Sequence, residues 1–277
     1  MAFNPLAALA AAHATKYLKD LAGSDGHSLS VIELGNQRFR LTKPVVKTIA
    51  SLLRVKFSLP ASEPEFSDFT PSFFRQMGFK EYHALDMNEK MEAIPVDLNT
   101  DIRTNYRFTR QANLVIDNGT GEHIFDQHMV FKNQHDICLV DGILLNIKPF
   151  FPWTNHGFYT FHPVLFRDLA YANGYKEIFT WLGGNHGEYV DVTDDDRIWY
   201  EVPRSYPFWK RPKDYLETLI YDKLLPKNNI SIVTAYQKIN DSPFRVPLQG
   251  KWIGNISDKN IVDKYDGQPD TREKYHS

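Results

Sequence analysis

Four side chains able to take up or hand over a proton fall in two polar loops, each following an apolar run. Glu122 and His123 come after ANLVID (Ala112 to Asp117), and His156 and Tyr159 come after GILLNIK (Gly142 to Lys148). Histidines and carboxylates are the side chains that most often act as general bases. In an open α/β sheet, ligands lie outside the carboxyl ends of the strands. If the two runs are strands of such a sheet, all four residues meet over one crevice, with His156 the first candidate base and His123 the second. The structural alternative is that Glu122 and His123 merely open a helix. His123, His128, His135, His156 and His162 are numerous, with Glu122 close by, but their spacing matches no metal-ligand motif, so no metal is expected. His162, before Pro163, reads as a helix-start residue.

The elements that must carry these loops alternate. LSVIELG (Leu29 to Gly35) is a short apolar strand that ends in Glu33 and Gly35. A helix follows from Pro44 to Leu53, then a Pro-rich loop around Leu59 to Phe66, then a helix from Phe69 stopped by Gly78. The next strand ends at Asp86, and IPVDLN (Ile94 to Asn99) is another short strand with Asp97 near its end. After the Ala112 and Gly142 strands, a helix spans Pro163 to Asn173 and a further strand spans Ile178 to Leu182. NISIVTAYQK (Asn229 to Lys238), rich in β-branched residues, suits an antiparallel edge strand. The pattern predicts an α/β fold: a doubly wound, mostly parallel sheet with an antiparallel last strand and an N-terminal helical extension. Residues 1–28 form that extension, 29–257 the main domain with an insertion at about 186–228, and 258–277 a polar, loosely held tail.

Thirty-two Lys and Arg against 34 Asp and Glu give a net charge of −2, so no global field draws the chain to nucleic acid. The single Cys138 excludes an intrachain disulfide framework and a Cys-based zinc site, and fits a reducing, cytoplasmic setting. The alanine-rich N-terminus has no Lys or Arg before its short apolar run and reads as an amphipathic helix rather than a leader. No run is long enough to span a bilayer. Nothing in the sequence speaks to oligomeric state.

VIDNGTGEHIFDQ, LLNIKPFFPWTNHGFY and FHPVLFRDLAYANGY resemble the second half of class I S-adenosylmethionine (SAM)-dependent methyltransferases. The likeness is to a branch with a Gly-Thr-x-Glu-His segment after one strand, a His-Gly-Phe-(Tyr/Phe) loop after a later one, and a helix ending in Asn-Gly-Tyr. Those are Gly119 to His123, His156 to Tyr159, and Asn173 to Tyr175 here. The resemblance runs from Leu29 to Gly250 and takes in SPFRVPLQGKW (Ser242 to Trp252). It implies SAM as cofactor, with Glu33 and Gly35 under its methionine part and Asp86 on its ribose. Asp97 would meet the adenine amino group, Leu98 would pack on the ring, and Asp117 and Gly119 would border the methionine end. Asp86 and Asp97 also read as turn or cap residues. The acceptor implied is a small polar molecule, such as a sugar or glycan-precursor hydroxyl, suggested by the basic and aromatic stretch Arg204 to Lys213.

The family pattern Glu/Asp-x-Gly-x-Gly-x-Gly is reduced here to Glu33-Leu34-Gly35-Asn36-Gln37-Arg38-Phe39. Two glycines are missing, and side chains at Gln37 and Phe39 would crowd a cofactor lying close to the backbone. A second expectation follows: a catalytically degenerate methyltransferase-fold protein that binds a partner. A nicotinamide-type enzyme is disfavoured, because no G-x-G-x-x-G follows the first strand.

Overall fold

The computed structural model describes residues 2–23, 28–58, 69–193, 195 and 229–270. Among them, the strands are β1 (Ala2–Phe3), β2 (Leu29–Leu34), β3 (Arg38–Phe39), β4 (Phe79–Asp86), β5 (Ala93–Pro95), β6 (Ala112–Asn118), β7 (Cys138–Phe151), β8 (Lys176–Gly184), β9 (Tyr189–Asp191) and β10 (Ile230–Gln237). The helices are α1 (Pro5–Ala22), α2 (Lys43–Leu53), α3 (Thr70–Met77), α4 (Ile102–Tyr106), α5 (Gln127–Ile137), α6 (Pro163–Asn173) and α7 (Lys259–Lys264). β1 and β3 form a small parallel pair, and the others make one sheet in the order β5-β4-β2-β6-β7-β10-β8-β9. The first five of that row are mutually parallel. β10 runs antiparallel to both β7 and β8.

This is the expected doubly wound sheet, with one correction. β10 is the antiparallel last strand, yet it lies inside the sheet rather than at an edge. All eight of its residues are buried and none is charged, whereas exposed edges are usually guarded by charges or bulges. β5 is also shorter than the Ile94 to Asn99 run. After Pro95 the chain leaves the sheet, and Asp101 caps the short helix α4 by accepting from the Thr104 N–H.

Helices cover both faces. On one, Phe3, Phe73, Phe74, Met77 and Tyr82 pack with α1 over Val31, Ile116 and Leu145. On the other, Ile32, Leu34, Val115 and Leu144 meet Ile102 of α4 and Val130 and Ile137 of α5. Phe166 and Leu169 of α6 continue that layer over Leu182, Ile232 and Tyr236. Helix α1 is less amphipathic than its sequence suggests. Its first half is buried almost all round by Leu6, Ala7, Ala8, Ala10, Ala11, Ala12 and Ala14, and its small side chains let it lie close to the sheet. Pro5 opens the helix, and Asn4 caps it by accepting from the Ala7 N–H at 2.9 Å. Beyond residue 257, Gln268 is buried and bonds both the N–H and the carbonyl of Leu248. The basic, aromatic stretch Arg204 to Lys213 lies outside the described residues. No helix among the described residues is long and apolar enough to cross a membrane.

The Asn4 side chain also donates to Asn185 Oδ1 at 3.0 Å, tying the start of α1 to the β8–β9 turn. Asn4→Ala removes both bonds and is expected to cost about 1 kcal/mol. Urea denaturation checks this: the midpoint falls while the slope stays unchanged.

Candidate active site

The carboxyl ends of β6 and β7 carry a buried charged cluster. Asp117 is opposite Asn146 in register, and Lys148, two residues on, emerges on the same face. Lys148 Nζ lies 2.5 Å from Asp117 Oδ2, and both side chains are fully buried. Asp117 Oδ1 accepts the N–H groups of Thr120 (3.2 Å) and Gly121 (3.0 Å), and Oδ2 accepts Gln134 Nε2 (3.0 Å). These bonds draw the chain after β6 into a tight 3-10 turn, Gly121–His123, within which the Glu122 side chain is wholly buried. Glu122 Oε2 is 3.5 Å from Lys148 Nζ, and Oε1 is 3.2 Å from His156 Nε2. An ammonium shared by two carboxylates offsets part of the cost of burying all three charges.

His156 rides on the loop after β7. Trp153 anchors that loop by donating its indole N–H to the Ile230 carbonyl (2.7 Å), and its ring lies 4.8 Å from the His156 ring. Gly157 has φ +62°, and a Cβ there would stand 2.9 Å from the Glu122 carbonyl oxygen. A glycine is thus required for the loop to lie down on Glu122, whose carbonyl accepts the N–H groups of Phe158 (2.8 Å) and Tyr159 (3.3 Å). Since a carboxylate only accepts, Nε2 of His156 carries the proton toward Glu122 and Nδ1 keeps the lone pair. The His123 ring is 5.0 Å from that of His156. Burial, with His156 adding to it, holds the His123 pKa below its ordinary value against the opposing pull of Glu122.

The structure therefore brings Glu122, His123 and His156 together, with one ligand atom of each within 4.8 Å of the others. Such a cluster can share a proton or hold a divalent cation. Tyr159 joins through its backbone, while its hydroxyl donates to the Phe125 carbonyl (3.0 Å). Glu122 and His123 belong to that short 3-10 turn and do not open α5, which Asp126 caps. The other histidines stand apart. His162 caps α6 by accepting from the Val164 N–H, and His135 bonds Tyr175 and the Ser242 carbonyl. The sequence reading missed Lys148, Gln134 and Thr120. The signal for Lys148 was present: Asn146 and Lys148 are the polar residues of the otherwise apolar run Gly142 to Lys148, at the spacing that puts both on one face.

At the other strand ends, polar groups mostly satisfy the protein itself. Glu33 is buried on the α1 side and accepts the Tyr82 hydroxyl at 2.6 Å; burial pushes its pKa up to about 8. Gly35 has φ +79°, and a Cβ built there would run into the Thr120 hydroxyl, which also accepts Gln37 Nε2 (3.2 Å). Phe39 turns into the core against Phe69 and Phe73, away from the strand ends, whereas Gln37 stays there and is buried. Asp86 Oδ2 accepts the Asn36 N–H (2.9 Å), and Oδ1 accepts from Met87 (2.6 Å) and the Asn88 side chain (2.7 Å). Asp97 Oδ1 accepts both N–H groups of an Asn99 turn (2.9 Å each), and Leu98 is buried beside α4. Gly119 donates to the Ile147 carbonyl (3.0 Å). Among the described residues, Glu33 Oε1, Gln37 Oε1 and Asn118 Oδ1 are buried without a hydrogen-bond partner.

Two stability experiments follow. Lys148→Met leaves Asp117 and Glu122 buried without their cation and is expected to cost about 3–5 kcal/mol in urea denaturation; adding Asp117→Asn should recover part of the loss. Glu33 is an acid with a raised folded pKa. It keeps its proton at pH values where the unfolded chain has lost it, so its contribution falls as pH rises from about 4.5 toward about 8. In Glu33→Gln that part of the stability-versus-pH slope should vanish, and an unchanged slope would refute the assignment.

No family model matches the sequence, and no curated protein matches it. Solved structures similar to the chain include an O-methyltransferase of a polyketide synthase from Brevibacillus brevis bound to S-adenosylhomocysteine, at 10% identity over 95% of this chain and 77% of that one, with a TM-score of 0.38. SAM-dependent methyltransferases from Thermotoga maritima (12% identity, 84% and 89% covered, TM-score 0.34) and Mesorhizobium loti (12%, 80% and 95%, 0.31) are also similar. Scores this low carry no argument; the strand order and strand directions do. By its topology the chain has a class I methyltransferase-like fold, a doubly wound, mostly parallel sheet with an antiparallel last strand.

Proposed function

We propose that the protein is a SAM-dependent methyltransferase acting on a hydroxyl-bearing small molecule, with His156 as the general base. The observation that carries this reading is the 3.2 Å contact between His156 Nε2 and the fully buried Glu122, itself braced by Lys148. Nδ1 of His156 takes the acceptor's hydroxyl proton, Glu122 holds the ring and balances the charge it gains, and Lys148 with Asp117 keeps Glu122 in place. His123, neutral at neutral pH, lines the same crevice and is the second candidate base.

The residues at the strand ends fit the cofactor by their chemistry. Gln37 Oε1 and Asn118 Oδ1 are acceptors without donors, and the methionine end of SAM carries an ammonium; Glu33, kept neutral by burial, would border it. Asp86 and Asp97 would hold the ribose and adenine, Leu98 would pack beside the ring, and Gly35, Asp117 and Gly119 would border the methionine end. When bound, SAM supplies the electrophilic methyl on its sulfonium. A sugar or glycan-precursor acceptor rests on Arg204 to Lys213, outside the described residues, and the described site adds nothing to it. The exposed rings of Phe125 and Phe158, 6.4 Å apart, offer an acceptor an aromatic rim instead.

A second reading has its own support. The Thr120 hydroxyl fills the space over Gly35, and Asp86 is engaged by its own loop, as in a fold kept for binding a partner after transfer was lost. Calorimetric titration with SAM and S-adenosylhomocysteine separates the two. Saturable micromolar binding, weakened about ten- to a hundredfold by Asp86→Ala, supports the transferase. No binding to either compound favours the partner-binding reading. In an active enzyme, His156→Asn should lower kcat by about 10²–10⁴ with SAM affinity unchanged; an assay with added divalent cation and one with chelator test whether a metal bridges Glu122, His123 and His156.

A further inference from the structure

Glu122 Oε1 and His156 Nε2 stand 3.2 Å apart. Two ligand atoms held at about 2.0–2.1 Å from a tetrahedral metal ion are about 3.4 Å from each other, so an ion fits beside this pair with almost no movement of either. His123 supplies a third ligand atom within 4.8 Å of the other two. His123 is exposed, its contact is the His156 ring, and no hydrogen bond to a described residue fixes its imidazole. The ring is therefore able to turn inward by the roughly 1–2 Å that coordination requires.

The donors narrow the ion. Two imidazoles and one carboxylate suit zinc and its neighbours among the transition metals, whereas magnesium and calcium take oxygen ligands. Lys148 pairs with Oε2 of Glu122 and leaves Oε1 facing His156. The buried cluster sets two carboxylates, Asp117 and Glu122, against one ammonium, so an added cation meets an excess of negative charge. A fourth position stays open to solvent, since His123 is exposed and the His156 side chain is 23% exposed. Three protein ligands with one open position is the arrangement of zinc sites that take up water or a substrate oxygen. Spacing along the chain hides the set, because Glu122 and His123 follow one strand and His156 follows its neighbour.

We propose that Glu122, His123 and His156 bind one divalent ion of the zinc class, which takes the place of the proton that His156 presents to Glu122. Nε2 of His156 then holds the ion and its proton passes to Nδ1, so the loaded form has no lone pair on His156 to receive an acceptor's hydroxyl proton. Ion binding and the base role of His156 exclude each other, and the ion site itself rests on the cluster alone. Protein stripped with chelator and then freed of it is titrated with Zn²⁺ by calorimetry and with Co²⁺ by visible absorption, both without SAM. One ion per chain is expected, with a Kd of about 1 μM or tighter and Mg²⁺ weaker by about a hundredfold or more. His123→Ala and His156→Ala should each weaken Zn²⁺ by about tenfold or more. His128→Ala, at an exposed histidine outside the cluster, should leave binding unchanged. The Tm of each metal-free variant separates a lost ligand from a lost fold, and His123→Ala carries the test alone because its ring is exposed. Absence of saturable binding, binding that survives His123→Ala, or equal weakening by His128→Ala overturns the proposal. Because SAM is left out, a protein that binds Zn²⁺ but not SAM keeps the ion site and loses only the transferase reading.

Discussion

The site depends on one buried cation. Lys148 sits in an apolar strand with no access to water, so it persists only beside anions, and the chain brings them from two places. Asp117 comes from the neighbouring strand and Glu122 from the turn after it. Asp117 also gathers the backbone N–H groups of that turn, so the contact that neutralises the lysine shapes the turn that presents Glu122. Glu122 in turn receives the 156–159 loop on its carbonyl and His156 on its carboxylate. The position of the imidazole thus follows from an electrostatic requirement inside the sheet.

Glu33, on the opposite face, solves the same problem differently. Among the described residues no cation pairs with it, only the Tyr82 hydroxyl does, and burial holds it in the protonated form to about pH 8. A neutral carboxyl can remain in an apolar layer with one unpaired oxygen at a cost a charged one would not survive. The sheet consequently separates a neutral, acceptor-rich side, where Gln37 and Asn118 also have unpaired oxygens, from a charged side built around Lys148.

Most strands were legible because each is an apolar run closed by a turn residue, and α1, α2, α3 and α6 because a Pro opens each and Gly ends three of them; α4, α5 and α7, opened only by an Asp, were not foreseen. What escaped the sequence depended on neighbours. NISIVTAYQK reads equally well as an edge or an inner strand until β8 is known to return beside it. IPVDLN has the composition of a strand, but pairing beyond Pro95 gives way to the Asp97 turn and α4. The convergence of Glu122, His123 and His156 was foreseeable from two parallel strand ends. Lys148 was not selected, because a lysine at the end of an apolar run ordinarily reads as the run's solvent boundary. Phe39 was expected to crowd a cofactor, yet the β1–β3 pairing turns its ring into the core, an outcome set by residues 2 and 3, far away in sequence.

The geometry around His156 has the character of a constrained group rather than a surface histidine. Its loop places Trp153, Asn155 and Gly157 at positive φ, a strained arrangement that persists only where surrounding contacts over-determine it. Here the contacts are the Trp153 indole on β10, two backbone bonds to Glu122 and the imidazole–carboxylate pair. Fixing the ring before a substrate arrives removes an ordering cost from the step in which a proton moves. The contacts that hold residues 153–157 at these angles also hold the imidazole in one orientation, which is what the proposed role as base requires.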